Sequence, residues 1–292
     1  MRGAARLVAA HAASLRTLRL SFWITPHPES HRELAVLEVG LLERALLAAP
    51  LPALQRLDLS VFTTVKEARR LEALRPLARL SLPRLARVSL RADTATGQGV
   101  HWLEGAHLPA LRHLGVYDDS DSRPDHPCVA ALTAPRWSTL ETLELRIDTP
   151  GGGMAALSAA LAPTLRRLFV FTKWPFGTEG CVEEWPQLRS LGVHDCGTLA
   201  EQLGPVRLPR LERLVVYQFE WARVRYAFLQ GFAALRPAIP ALRAVELQSC
   251  FCGNYGCKVF GCAHPAALLA KLRAAWPGLE LRRFEEEDWT QA

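Results

Sequence analysis

Apolar residues recur along the chain in one short unit, which reads apolar-Pro-x-Leu-x-x-Leu-x-Leu. The last two anchors alternate with period two, so they share one face of a short strand, and the residues between them face the opposite side. The first leucine comes three residues earlier and packs into the bend before the strand. Complete copies, with an aliphatic residue at every anchor, occupy 51–59, 82–90, 108–116, 208–216 and 239–247.

Other copies depart from this unit at one or two positions. Trp185 opens the copy at 185–193, looser copies occupy 15–20, 140–145 and 165–170, and a closing fragment occupies 276–281. About ten units therefore cover most of the chain, which is the signature of a repeat architecture. The pattern predicts parallel strands centred near 18–20, 57–59, 88–90, 114–116, 143–145, 168–170, 191–193, 214–216 and 245–247.

Segments between the predicted strands space their apolar residues as helices do, for example at 67–77 and 224–235. Gly151, Gly152 and Gly153 form a link into a helix that begins near Met154. Alternating strands and helices predict an α/β fold in which each unit covers the apolar edge of its neighbour, so that the core is continuous.

The repeated anchors resemble those of the leucine-rich repeat family over about residues 14–284, and the irregular unit lengths resemble its helix-backed, ribonuclease-inhibitor-like horseshoes. The position three after the Leu-x-Leu departs from the family's usual Asn or Cys, because it holds Trp, Phe, Asp and Lys in most copies. The resemblance implies a solenoid of about ten repeats, with a curved parallel sheet on its concave face and helices on its convex face.

The domain organisation expected from this resemblance is one leucine-rich-repeat solenoid over 1–284. Residues 1–14 form its N-terminal cap, and 250–284 form a Cys-rich insertion and C-terminal cap. An acidic tail, 285–292, follows and is expected to be solvated.

Proteins of this family bind partners on the concave sheet, so the outward strand positions are candidate binding residues. The column after the last anchor carries aromatic and arginine side chains, which are enriched at interface hot spots. Phe169 and Val215, in the column between the anchors, extend this column as an apolar patch. The predicted partner-binding residues are Arg91, Tyr117, Arg146, Phe169, Phe171, His194 and Tyr217.

Two alternatives to a binding face remain open at this stage. In the first, a loop from the convex side folds across the sheet and covers these aromatic side chains. In the second, the aromatic side chains are merely tolerated on the surface and bind nothing. Substitution of the column to Ala would separate these cases, because core residues would lower stability and binding residues would not.

The segment 250–264 concentrates four cysteines and one histidine. Cys250 takes the position where the family often carries a buried cysteine, which leaves Cys252, Cys257, Cys262 and His264 as a complete tetrahedral ligand set for a structural zinc. The spacing of four residues between successive cysteines of that set is wider than in familiar zinc sites. Free buried thiols or a local disulfide are the alternatives.

No combination of residues supports catalysis. His194, Asp195 and Cys196 are consecutive on a predicted strand, so their side chains alternate between faces and cannot form a relay. The Asp-rich run 118–125 lacks the Gly and distal Glu of a calcium loop, and 151–153 lacks the Lys of a phosphate loop. The chain is therefore expected not to be an enzyme.

Composition narrows the remaining function classes. The net charge of +6 comes from 35 basic residues, most of them arginine, and this charge alone does not indicate a function. Polyanion or RNA binding through the concave arginines is the alternative to protein binding. Acidic residues interrupt the arginine column Arg56, Arg87, Arg167 and Arg213, so a protein partner is favoured and nucleic acid is not. Seven cysteines, an odd number with four of them in 250–262, indicate a reducing, cytoplasmic location, and no apolar run reaches the ~20 residues of a membrane span. The chain is also expected to be a monomer.

Overall fold

A computed structural model describes residues 2–24, 50–63, 80–93, 100, 103, 105–118, 132–134, 137–147, 154–170, 182–195, 206–219, 235–250, 274 and 276–283. The chain divides into two compact units, unit 1 over Met1–Gly151 and unit 2 over Gly152–Ala292. The predicted helices at 67–77 and 224–235 lie outside the described residues, apart from Leu235.

Unit 1 contains one described helix and five described strands, which pair in parallel in chain order. Its elements are α1 (Arg2–His11), β1 (Thr17–Ile24), β2 (Arg56–Thr63), β3 (Arg87–Asp93), β4 (His113–Asp118) and β5 (Thr142–Ile147).

Unit 2 repeats this arrangement, and its described strands also pair in parallel in chain order. Its elements are α2 (Met154–Leu161), β6 (Arg167–Val170), β7 (Ser190–Asp195), β8 (Arg213–Phe219), β9 (Ala244–Cys250) and β10 (Glu280–Arg283). All nine predicted strand positions are confirmed, and β10 arises from the closing fragment. The helix predicted near Met154 is also confirmed, because α2 begins there.

The proline of each complete unit has a structural reason. In the turn before β2 the N–H of Leu54 donates to the carbonyl of Leu51 at 3.2 Å, and the same bond joins Leu85 to Leu82 at 3.1 Å. This is the hydrogen bond of a β-turn whose second residue is Pro, where a φ fixed near −65° is favourable. Apolar-Pro-x-Leu is therefore a turn that delivers the chain into each strand.

Copies without this proline enter their strands differently. Before β1 and β6 a helix ends instead, and the N–H groups of Leu15 and Leu165 donate to His11 and Leu161 at 2.9 Å. Before β5, Trp137 takes the first anchor position, and its carbonyl accepts from the N–H of Leu140 at 2.9 Å.

The register between successive repeats is set at one backbone carbonyl in each repeat. The carbonyl of Arg16 accepts from the N–H groups of both Gln55 and Arg56, at 2.8 and 3.0 Å, and Gln55 accepts in the same way from the next unit. These hydrogen bonds fix the register of each repeat against the next one, residue by residue. The anchors of adjacent strands therefore lie side by side.

The core of each unit lies on the anchor side of its strands. Leu54, Leu57 and Leu59 expose at most 1% of their surface, and six leucine anchors of unit 2 are 0% exposed: Leu165, Leu168, Leu188, Leu191, Leu211 and Leu214. Burial of a leucine side chain stabilises the fold by about 1.5–3 kcal/mol, so three anchors per unit dominate the energetics. Within the described residues, no helix is long and apolar enough to cross a membrane.

Candidate partner-binding face

The face opposite the anchors carries three columns of side chains, which are called first, middle and last in strand order. In unit 1 the first column holds Thr17, Arg56, Arg87, His113 and Thr142. The middle column holds Arg19, Asp58, Ser89, Gly115 and Glu144. The last column holds Ser21, Ser60, Arg91, Tyr117 and Arg146.

The last column of unit 1 brings three predicted binding residues together. Tyr117 is the register partner of Arg91 on one side and of Arg146 on the other. Both arginines are exposed and Tyr117 is half-buried. Because adjacent strands lie ~4.8 Å apart, Tyr117 has an arginine at the matching backbone position of each neighbouring strand.

Tyr117 owes its partial burial to a glycine on its own strand. A Cβ built on Gly115 would lie 3.0 Å from the Cε2 of Tyr117 and 3.7 Å from the Oγ of Ser89. The ring therefore leans over the middle column at a position that has no side chain of its own. One edge of the ring is supported by the sheet, which limits the entropy that a partner would remove on binding.

Asp58 neutralises part of the positive charge of unit 1. Its carboxylate accepts from the Nε of Arg56 at 3.1 and 3.2 Å and from the Nε of Arg19 at 3.2 Å. Its side chain is only 10% exposed, whereas that of Arg19 is 71% exposed. The pair with Arg56 is therefore better shielded from solvent than the pair with Arg19.

In unit 2 the middle column holds Phe169, Gly192, Val215, Glu246 and Arg282, and the first four are buried, which corrects one prediction. Phe169 and Val215, expected as an exposed apolar patch, are each 0% exposed. The ring of Phe169 packs over Gly192, since a Cβ on Gly192 would overlap that ring. The face to which a strand position points does not by itself decide whether the side chain is accessible. Because Phe169 is buried, it is not a surface residue that a partner could contact.

A bidentate ion pair occupies the same face of unit 2. The guanidinium of Arg213 donates to both carboxylate oxygens of Glu246, at 2.8 and 2.5 Å. Their side chains are 22% and 7% exposed. Arg213, one of the four arginines considered for a polyanion, is thus engaged by the sheet itself, as Arg56 is in unit 1.

The remaining predicted site residues are only partly within the described residues. His194 and Tyr217 lie on β7 and β8, as predicted, but their side chains are outside the described part. Phe171 follows β6 and lies outside it altogether. The predicted zinc ligands Cys252, Cys257, Cys262 and His264 also lie outside it, and the residues described elsewhere hold no cluster that could bind a metal.

Two features of these strands were not predicted from the sequence. Trp137 is an anchor that the pattern left out, although an aromatic residue three before Leu140 was the available signal. The clustering of Arg19 and Arg56 on Asp58 was also missed, because it depends on strand register. Arg19 and Asp58 occupy the same column, and Arg56 lies in the neighbouring column. Their contact depends on how the strands pair, which the sequence does not give.

No family model and no curated protein matches the chain.

Proposed function

We propose that this chain is a leucine-rich-repeat solenoid of about ten repeats that acts as a non-catalytic scaffold in the cytoplasm. The parallel strands, the Leu-Pro turns and the buried anchors support the family, whose helix-backed members place helices on the convex face. A protein partner binds on the open face of unit 1, at the last column formed by Arg91, Tyr117 and Arg146. The adjacent register of these three residues is the observation that carries the proposal.

The residue types favour a protein partner over a polyanion. Tyr and Arg are the side chains that most often dominate protein interfaces, and both kinds are accessible in this column. The arginine column considered for a polyanion consists of Arg56, Arg87, Arg167 and Arg213. Two of these four, Arg56 and Arg213, instead bind carboxylates of the sheet. A continuous basic stripe, which a nucleic acid backbone would require, is interrupted at both.

Photocrosslinking tests this proposal. A crosslinking amino acid at Ser60, beside Arg91 in the last column, should capture a partner from the native cell extract, and one at the exposed turn residue Arg84 should not. The captured protein is then purified, and its affinity for wild type and for the Tyr117→Ala/Arg146→Ala variant is measured directly. We expect at least a tenfold loss in the variant with an unchanged melting temperature.

Two results would contradict the proposal. Equal capture at Ser60 and Arg84 would show that the face is not selective. Nucleic acid in the crosslinked product, with an affinity that falls steeply as salt rises, would favour the polyanion alternative.

We also propose a structural zinc held by Cys252, Cys257, Cys262 and His264. The support is the donor set: three thiolates and one imidazole fill a tetrahedral site and leave no position for a reacting water. In this proposal the ion stabilises the segment that joins β9 to β10, because the four ligands are brought together only in the folded chain.

A further inference from the structure

We infer that the outer edge of α1 and β1 binds the β10 end of a second copy of this chain, so that chains associate head to tail. In this contact β1 of one chain pairs in parallel with β10 of another, as each repeat pairs with the next one inside a unit. The surface is separate from the last column of unit 1, so the contact does not depend on the proposed function. Such association departs from the monomer expected from the sequence.

Both units begin with one sequence motif, called here the entry motif, at 7–20 and 157–170. Each entry motif runs from a helix through a turn into the first strand of its unit. The turns have the same hydrogen bond, from the N–H of Leu15 to His11 and from that of Leu165 to Leu161, both at 2.9 Å. Seven of the fourteen positions are identical: Leu7 and Leu157, Ala9 and Ala159, Ala10 and Ala160, Ala12 and Ala162, Leu15 and Leu165, Arg16 and Arg166, and Leu18 and Leu168. The two entry motifs can therefore be compared position by position.

The helix of the first entry motif is exposed where that of the second is buried. Leu7 is 63% exposed, whereas Leu157 is 0% exposed. His11 is exposed, whereas Leu161 at the same position is 1% exposed. Within the described residues, Leu7 is the only large apolar side chain that is exposed. One flank of α1 thus presents to solvent a surface that the same motif buries in unit 2.

The strand of the first entry motif is also less well covered. Leu18 is 8% exposed and Leu20 is half-buried, whereas Leu168 and Val170 in β6 are both 0% exposed. β1 has eight residues, contains no proline and pairs only with β2 among the described strands. A long edge strand of this kind can accept an added strand through its unpaired backbone groups.

The repeats define which backbone groups the added strand must offer. Within each unit, the first residue of every later strand donates its N–H to the carbonyl that precedes the strand before it, as Arg56 does to Arg16 at 3.0 Å. Thr17 has the donor position in β1. Leu279 has the acceptor position before β10, the last described strand. The β10 end of a second chain therefore brings an acceptor to this donor.

The charges at the two ends of the chain are opposite. Residues 1–20 contain four arginines and no acidic residue, and one of these arginines, Arg19, pairs with Asp58. Residues 280–292 contain five acidic residues and two arginines, a net charge of −3. Contact between unlike ends is favoured over contact between like ends, because like charges repel across an interface. Head-to-tail association is therefore favoured over a two-fold dimer through β1.

Sedimentation velocity over a concentration series tests this inference. The weight-average mass of the wild-type protein should rise above that of one chain and continue past that of two, because a head-to-tail contact leaves one end of each assembly able to bind a further chain. Leu7→Glu should weaken association about tenfold or more, because it places a carboxylate in the apolar contact. Higher salt should also weaken association, because it screens the opposite charges.

Ala9→Glu is the matched control, because it makes the same change of charge in α1 on the opposite flank from Leu7. Ala9 and its counterpart Ala159 are both exposed, so this flank is not covered in either entry motif. Ala9→Glu should leave association unchanged. Thr17→Pro should weaken association, because it removes the donor at the first residue of an edge strand, where proline is tolerated. All three variants should melt at the wild-type temperature.

Crosslinking identifies the surfaces in contact. A photocrosslinking amino acid at exposed Ser14, in a mixture of isotope-labelled and unlabelled chains, should join one chain to residues 276–283 of another. The mass of a single chain at every concentration would overturn the inference, and so would equal weakening in Leu7→Glu and Ala9→Glu. A mass that stops at two chains, with crosslinks between two first entry motifs, would establish a two-fold dimer and overturn head-to-tail association.

Discussion

The phenyl ring of Phe169 occupies the space above Gly192, its register partner on the next strand. A Cβ built on Gly192 would lie 1.8 Å from the Cδ2 and 2.2 Å from the Cε2 of that ring. Phe169 and the next-but-one residue of the column, Val215, are 0% exposed, and Gly192 between them is buried. The missing side chain of Gly192 is thus what allows an aromatic residue to pack into the face of unit 2.

Replacement of this glycine should destabilise the chain. In Gly192→Ala the new methyl group would displace a buried ring that has no solvent to move into, and overpacking of this kind costs about 1–3 kcal/mol. Gly115→Ala is the matched control, because its nearest contact is the ring of half-exposed Tyr117 at 3.0 Å. Urea unfolding should show a clear loss for Gly192→Ala and a smaller one for Gly115→Ala. Equal losses would contradict this packing.

Removal of one partner of the Arg213–Glu246 ion pair should destabilise the chain strongly, whereas replacement of both partners by apolar residues should change its stability little. Arg213→Ala leaves the 7% exposed carboxylate without its bidentate partner, at a cost of about 3 kcal/mol. The Arg213→Met/Glu246→Leu variant should lie within about 1 kcal/mol of wild type, since it removes both desolvated charges. Denaturant midpoints measure both variants.

Arg189→Ala provides the control for that comparison. Its pair with Glu212 spans 3.4 Å between side chains that are 55% and 46% exposed, so its loss should cost less than about 1 kcal/mol. A loss in Arg189→Ala as large as in Arg213→Ala would show that burial does not set the strength of these pairs.

The two arginines on Asp58 should contribute unequally. Arg56 is 34% exposed and Arg19 is 71% exposed, so solvent and salt screen the second pair more. We expect Arg56→Ala to destabilise by about 1 kcal/mol and Arg19→Ala by a few tenths. Thermal melts at low and high salt check this, and a larger effect in Arg19→Ala would reverse the assignment.

The zinc proposal makes a prediction about the purified protein. Elemental analysis should find about one zinc per chain, because a site with four protein ligands binds one ion in a tetrahedron. Cys257→Ser should abolish the metal, and Cys250→Ser, the control, should retain it. A metal-free protein whose thiols between Cys252 and Cys262 titrate freely would refute the site.

Local sequence determined the strands and the turns between them. Leu-x-Leu alternation places two anchors on one face of any strand, and Pro after the first anchor favours the turn, so neither depends on distant residues. The nine predicted strands were therefore found in place, in chain order within each unit. The side on which Arg91, Tyr117 and Arg146 lie follows from the same period of two.

Only the tertiary structure decided which residues of that side remain accessible. Alternation points Phe169 and Tyr117 to the same kind of face, but Phe169 is buried over Gly192 and Tyr117 stays half-exposed over Gly115. Accessibility depends on the volumes of side chains from neighbouring strands, which lie more than twenty residues away in sequence. The pairing of Arg56 with Asp58 rather than with a polyanion is likewise a matter of geometry, because charge composition does not record which groups are in contact.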